Sequence, residues 1–331
     1  MAEKPWVAFY WCGSCGGCEE AVVDLAEDIL KVVEAVNIGF WPIALDFKRK
    51  DVEEKPDGFF AVSFINGTIE NTENLEMVEL LRRKSQLVIA FGSCSHLGGI
   101  PSLRNLYDHE EVIRRAYIEA PSVDNPEGVV PQLRWRDPDG RELILSELLP
   151  TARALDQVID VDYYLPGCPP TPELIKNAIN TILSGDLPPK GAVLAPNKAL
   201  CSECPRKDTK PEKILIEDLK RVHLAELDPN ICFLAQGVFC AGPATRAGCG
   251  ALCIKANMPC RGCFGPTDQV LDQGLSLLSA YASVLDIPPE EEEKIEEVLK
   301  KFADPAGFFW RFSTAKSLLH ANPKNLKKKE G

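Results

Sequence analysis

Short apolar runs alternate with amphipathic stretches through the first half of the chain. Residues 6–11, 59–65, 87–91 and 161–165 are brief, apolar and rich in β-branched or aromatic side chains. Strands buried on both faces read this way. Helical periodicity covers residues 19–36, 73–84, 110–119 and 172–183 between them. Such alternation predicts an α/β domain built on a doubly wound parallel sheet. A hairpin interrupts it, residues 129–135 and 141–145 joined through Asp137-Pro-Asp-Gly140.

The pattern changes after residue 184. Residues 185–196 carry three prolines and two glycines and read as a linker. Residues 197–266 show little periodicity, so this stretch is expected to depend on something other than regular packing to fold. Helical periodicity returns over 270–285 and 289–302, and the aromatic run Phe308-Phe-Trp-Arg-Phe312 is expected to pack back on the body. At 331 residues the chain exceeds the usual single core. The expected division is 1–184, a linker at 185–196, an irregular domain at 197–266 and a helical extension at 267–331.

Composition narrows the function classes. With 45% hydrophobic and 26% charged residues the chain is an ordinary globular one, and no run approaches the ~20 apolar residues that cross a bilayer. Met1-Ala2-Glu3-Lys4-Pro5 runs straight into the first strand without the features of an export signal, and Arg82-Arg83 lies too far inside for a twin-arginine one. No membrane association and a cytoplasmic address are expected. A net charge of −12 argues against nucleic acid. The basic run Lys327-Lys328-Lys329 reads as a solvated tail. The acids from Glu290 to Glu293, following Pro288-Pro289, complement a helix dipole.

The cysteines carry the chemistry. Thirteen is an odd number, so a complete internal disulfide framework is excluded. Cys15/Cys18, Cys201/Cys204 and Cys260/Cys263 are Cys-x-x-Cys pairs, and Cys249/Cys253 is one residue longer. Structural zinc would accept such thiolates. Iron and sulfide are favoured because many of these cysteines adjoin Gly or Pro, as in Gly167-Cys168-Pro169 and Gly248-Cys249-Gly250, where backbone amides approach the sulfurs. Eight cysteines also crowd into residues 201–263. Cys15, Cys18, Cys94 and Cys168 each lie just past the carboxyl end of an expected strand, where open parallel sheets bind ligands. Three distant loops would thus converge on one four-thiolate centre.

Four passages together resemble the small, electron-transfer subunit of nickel–iron hydrogenases: Cys15-Gly-Gly-Cys18-Glu19, Gly92-Ser-Cys94-Ser-His-Leu-Gly-Gly-Ile-Pro101, Leu165-Pro-Gly-Cys168-Pro-Pro, and Cys240-Ala-Gly-Pro-Ala-Thr-Arg-Ala-Gly-Cys249. The resemblance implies a flavodoxin-like first domain. It implies a proximal cluster on Cys15, Cys18, Cys94 and Cys168, nearest the nickel–iron centre of a separate large subunit. It further implies a medial cluster on Cys249, Cys253, Cys260 and Cys263, and a distal one on Cys201, Cys204, Cys232 and Cys240. Periplasmic members have histidine in place of Cys201 and a proline near Cys253; thiolates at both positions imply three 4Fe-4S clusters of low potential. The chain is most similar to the F420-non-reducing type, which implies an iron–sulfur adaptor and a heterodisulfide-reductase-type complex as partners. No active site of its own is expected, because the nickel motifs belong to the large subunit.

Several residues admit two readings. Cys12-x-x-Cys15 is also a valid spacing, although Glu19 after Cys18 favours the Cys15/Cys18 pair. Glu19 reads either as a proton guide at the subunit interface or as a first-turn acid. His96 is expected to pack, with the cluster's surroundings as the alternative; His109, His223 and His320 are expected to be structural. Arg246 either tunes a cluster or pairs with an acid. Two rival functions stand beside the hydrogenase one. One is the cluster-bearing subunit of a respiratory quinone-reducing complex, whose family has adjacent cysteines in the first motif and lacks the eight-cysteine region. The other is a zinc-stapled binding module.

Overall fold

The computed structural model describes residues 4–216, 218–288, 290–302 and 304–326. The expected helix start at Pro289 and the basic tail Lys327–Lys329 lie outside the described residues.

Five parallel strands form the central sheet: β1 (Trp6–Trp11), β2 (Asn37–Phe40), β3 (Phe60–Asn66), β4 (Ser85–Phe91) and β5 (Tyr163–Leu165). Their spatial order is β2-β1-β3-β4-β5, the flavodoxin-like order, with its reversal between β1 and β3. Both faces are covered, which is why the strands are apolar throughout. On one face α3 (Thr72–Lys84) buries Met77, Val78, Leu80 and Leu81 against Ala8, Tyr10, Ile65 and Val88. On the other, α5 (Pro172–Ser184) buries Leu174, Ile175 and Ala178 near Phe9, Phe64 and Phe91. Both helices are capped by side chains. Asn71 accepts from the Asn74 amide at 2.8 Å, and Thr171 accepts from the Leu174 amide, with Pro172 at the first helical position and Gly185 just past the end.

Three expectations change, and one strand was not expected. The helix expected over 19–36 is two, α1 (Gly17–Val23) and α2 (Asp28–Ala35), parted by a turn in which Ala26 takes φ +50°. The turn drops Leu25 into the core while α2 stays at the surface. Strand β2 is obscured in the sequence by its brevity and by Gly39, where an added Cβ would press on Trp6 and Phe60. The helix expected over 110–119 is α-helical only over His109–Arg114 and continues as a π-turn over Arg115–Glu119. The hairpin pairs only Arg134–Arg136 with Glu142–Ile144, and those six residues stand exposed.

The stretch read as a linker lies on the sheet edge. Tyr164 donates to Ala192 O at 3.1 Å, and Leu194 donates to Tyr164 O at 2.8 Å. Lys190 pairs with buried Asp162, which also accepts from Arg82 and the Val88 amide. One hydrophobic core runs through both later stretches, joining Leu200, Phe233 and Phe239 to Leu277 and Tyr281 of α6 (Gln273–Ala282), Val298 of α7 (Glu292–Lys300), Phe309 and Trp310. The chain then returns to the first domain, where Asn105 donates to His320 O and Asn325 donates to Tyr107 O. No helix among the described residues is long and apolar enough to cross a membrane.

Candidate iron–sulfur sites

Three loops at the carboxyl edge of the sheet bring four cysteines together. Cys15 and Cys18 follow β1, with Cys18 on the first turn of α1. Cys94 follows β4 on α4 (Ser93–Leu97), and Cys168 follows β5. Backbone bonds lock the last two loops to each other: Gly92 N donates to Leu165 O at 2.8 Å and Ser93 N to Gly167 O at 2.7 Å. Gly92, at φ +86°, has no room for a side chain, because a Cβ there would collide with the Cys18 sulfur; a Cβ on Gly99 would meet that of Cys94. Burial pushes the Cys18 thiol up, and repulsion from Cys94, Cys168 and Cys15 pushes it further. The Cys94 thiol is pushed up to about 12 by burial, then by Cys168 and Cys15. Protein surroundings alone would therefore keep these thiols protonated, and thiolate ligation requires the positive charge of metal.

The other eight cysteines lie in the C-terminal region. Cys249, Cys253, Cys260 and Cys263 line a cavity of about 260 Å³, together with Cys168 and Phe264. Cys260 and Cys263 are each pushed up to about 12, first by burial and later by neighbouring thiols. Cys201 and Cys240 approach each other across Gly242, whose added Cβ would lie 3.5 and 3.6 Å from their sulfurs. The Cys201 thiol is raised by burial, opposed by Lys210 and supported by Cys204 and Cys232.

The three groups adjoin one another. Cys168 acts electrostatically on Cys263, and Ser93 Oγ donates to Cys263 O, fastening the sheet edge to the cysteine-rich loops. Cys260 acts on Cys240, and Ala241 N donates to Cys260 O at 2.9 Å. Among the described residues no three His, Cys, Asp or Glu side chains are placed to share a single metal ion. The donor set fits iron–sulfur clusters: cysteines only, in glycine-rich loops, around space that glycines keep open.

The remaining singled-out residues fall into place. Cys12 is buried in the core on the α3 face, among Tyr10, Phe40 and Ile65, whereas Cys18 belongs to the opposite face. Glu19 is a first-turn acid yet buried, accepting from Trp41 Nε1 and from Asn66 Nδ2 at 2.5 Å; burial raises its carboxyl and those two bonds oppose the rise. His96 packs on Tyr164, ring centres 4.7 Å apart. His109 starts the helix that Asp108 caps, His320 O accepts from Asn105, and His223 is exposed. Arg246 pairs with Asp268 and donates to Pro266 O at 3.1 Å, pinning the loop after Cys263.

Sequence reading overlooked three neighbours of the sulfurs. Glu203 accepts from Gly248 N at 3.0 Å and reaches Cys249 Sγ at 3.9 Å. Thr245 Oγ1, which donates to Ala241 O at 2.6 Å, lies beside the Cys260 thiol and lowers it against the rise from burial. Tyr281 Oη accepts from Cys240 N at 2.5 Å. Glu203 and Thr245 lie within or beside the cysteine motifs and were legible there. Tyr281 is far along the chain from its partner, and no local pattern marks it.

Residues 15–182 match the family described as NADH ubiquinone oxidoreductase, 20 Kd subunit. Over 97% of its length the chain is 38% identical to the iron-sulfur subunit of the F420-non-reducing hydrogenase of Archaeoglobus profundus, covering 98% of that protein. It is 37% identical over 96% of its length to a subunit of the F420-non-reducing hydrogenase of Methanothermobacter thermautotrophicus, covering 97% of it. Among solved structures, a recombinant [NiFeSe] hydrogenase from Desulfovibrio vulgaris Hildenborough superposes with a TM-score of 0.50 at 19% identity. That match spans 80% of this chain and 95% of the other, and it shows a shared fold.

Proposed function

The chain belongs to the family of nickel–iron hydrogenase small subunits, the electron-transfer partners of the large subunit, and we propose that it holds three 4Fe-4S clusters in a row. When bound, such clusters supply reversible one-electron chemistry. The residues supply the thiolates and the order. Cys15, Cys18, Cys94 and Cys168 hold the cluster facing the large subunit. Cys249, Cys253, Cys260 and Cys263 hold the middle one. Cys201, Cys204, Cys232 and Cys240 hold the outermost.

The observation that carries this reading is continuity. Cys168 lines the same cavity as Cys249, Cys253, Cys260 and Cys263, and Ala241, next to Cys240, donates its amide to Cys260 O at 2.9 Å, so each thiol group abuts the next from the sheet edge into the C-terminal region. Cys15 and Cys168 are exposed in the single chain, which suits an end that a large subunit would cover. Thiolates at Cys201 and Cys253 favour low potentials and a protein acceptor. With relatives named as parts of F420-non-reducing hydrogenases, this supports a cytoplasmic complex in which an iron–sulfur adaptor passes electrons to a heterodisulfide-reductase-type enzyme. On this reading 1–184 carries the proximal cluster and 197–266 the other two, with 185–196 joining them and 267–331 closing over the cysteine-rich part.

The quinone-complex alternative draws on the family description that matches residues 15–182, yet Cys201 to Cys263 lie outside those residues. Elemental analysis tests the proposal. About twelve irons and about as many acid-labile sulfides per chain are expected; zinc without sulfide would end it. In the complex with its large subunit, hydrogen should bleach the iron–sulfur absorbance of this chain. Cys253→Pro should convert the middle cluster to a three-iron form, and an oxidised sample lacking a three-iron paramagnetic signal would refute the ligand assignment there.

A further inference from the structure

A groove of about 540 Å³ opens where residues 219–223 face residues 301–311. Its floor is aromatic: Phe239, Phe302 and Phe308 pack with ring centres 3.9 to 6.5 Å apart. Its walls are cationic. Lys220, Arg221, Arg261 and Arg311 line it, and among the described residues none of the four forms an ion pair. Arg261 lies over the Phe308 ring at 5.6 Å, with Arg311 and the Cys260 and Cys253 sulfurs near it. The fifth cation, Lys301, is engaged by Asp218, and Asp304, the carboxylate among the lining residues, is engaged by the Gly307 amide. The chain as a whole carries −12, yet residues 198–261 hold ten Lys and Arg against seven Asp and Glu.

We propose that this groove docks an acidic segment of an iron–sulfur electron acceptor, which receives electrons from the C-terminal clusters. The proposal rests on the electron-relay reading above. Lys220, Arg221 and Arg311, without ion pairs among the described residues of an acidic molecule, are complementary to clustered carboxylates, and aromatic rings with arginine are the composition of interface cores. Position favours the same occupant. Phe239 precedes Cys240 and Arg261 follows Cys260, so the groove is built from the loops that carry sulfurs of both C-terminal groups. Transfer is a one-electron step: a reduced 4Fe-4S cluster is oxidised, the acceptor's iron–sulfur group is reduced, and no bond or proton changes place.

The test uses the complex of this chain with its large subunit and, as probe, an acidic ferredoxin carrying two 4Fe-4S clusters. Equilibrium binding of the ferredoxin is measured for the native complex, for Lys220→Glu/Arg221→Glu and for Arg311→Gln, at low and high salt. Charge reversal should weaken binding at least about tenfold at low salt, Arg311→Gln less, and the native complex should lose affinity as salt screens the groove. In kinetics KM for ferredoxin should rise, while hydrogen-dependent reduction of a small viologen dye continues and iron content holds. Unchanged ferredoxin affinity in variants that keep their iron overturns the proposal. So does a parallel loss of dye reduction, which would make the groove part of the cluster scaffold, or a smaller assembly for the charge-reversed complex than for the native one, which would make the groove a contact between copies. A native complex that reduces no dye with hydrogen would instead sink the relay reading itself.

Discussion

The Cys18 and Cys94 sulfurs are placed by what the backbone leaves out around them. At Gly92 a left-handed φ and the Cys18 sulfur together exclude any side chain, so Gly92→Ala is expected to cost one cluster. Iron content should fall by about a third, while far-ultraviolet circular dichroism of the sheet persists. Cys12 and Cys15 make a cleaner pair. Cys12 lies in the α3-side core and Cys15 on the open edge. Cys12→Ala should keep all its iron and lose about 1 kcal/mol of stability as a small cavity; Cys15→Ala should lose the proximal iron. The opposite result would transfer the ligand role to Cys12. Away from the sulfurs, Asp162 is the informative acid. Burial would raise its carboxyl, but Lys190, Arg82 and the Val88 amide prevail and hold it below the usual carboxylate range. A depressed folded pKa stabilises above the unfolded value of ~3.9 and is lost as pH falls through the folded one. Asp162→Asn should therefore lower the urea midpoint at pH 7, by about 2 kcal/mol of stability for charge-assisted bonds lost. The gap to the native chain should narrow below about pH 4.

Elements built from periodic sequence were legible, and those built from long-range pairing were not. β1 runs over the residues its apolar run predicts, and α3 and α5 start and stop at their caps, because strand burial and helix capping are local properties. β2 was missed because four residues with a central glycine leave too short a signal. The edge pairing of 192–194 was missed for a different reason: proline and glycine marked the segment correctly as irregular, and only Tyr164, far away, makes it part of the sheet. The gathering of Cys15, Cys18, Cys94 and Cys168 at one sheet edge was legible because each lies just past the end of a strand, whereas the division of the other eight cysteines comes from the family resemblance and from no local pattern. Tyr281 was illegible because its role depends on how α6 lies over Cys240. The hairpin gives a test at this scale. Trp135 is 49% exposed and Ile144 64%, so replacing either by Ala should change the melting temperature of the single chain negligibly, within about 0.5 kcal/mol. A larger loss would mean the hairpin packs on the body in solution.

The two halves of the molecule differ in what holds them. The first has a sheet sealed on both faces by helices, with cores in which Cys12 and Cys18 are the buried cysteines. The second has short helices, 3-10 turns and a core into which Cys240 and Cys260 are themselves packed, with Cys204, Cys232 and Cys249 against its margin. Removing iron would leave Cys240 and Cys260 protonated, since burial already pushes both up to about 12. Their loops would then lose the bonds that close them, and the folding energy that metal supplies would go with them. The sheet would lose only the fastening of its edge, the Cys15, Cys94 and Cys168 loops. Chelation under anaerobic conditions should accordingly raise amide hydrogen exchange across residues 197–266 and α6, while β1, β3 and β4 stay protected. The aromatic cluster around Phe239 should loosen with the metal, because its ring sits one residue from Cys240 and stacks on Tyr281 at 4.3 Å. Uniform protection after complete iron loss would show that side-chain packing alone folds the C-terminal half. Loss of protection in the sheet as well would show that the two halves fold as one unit.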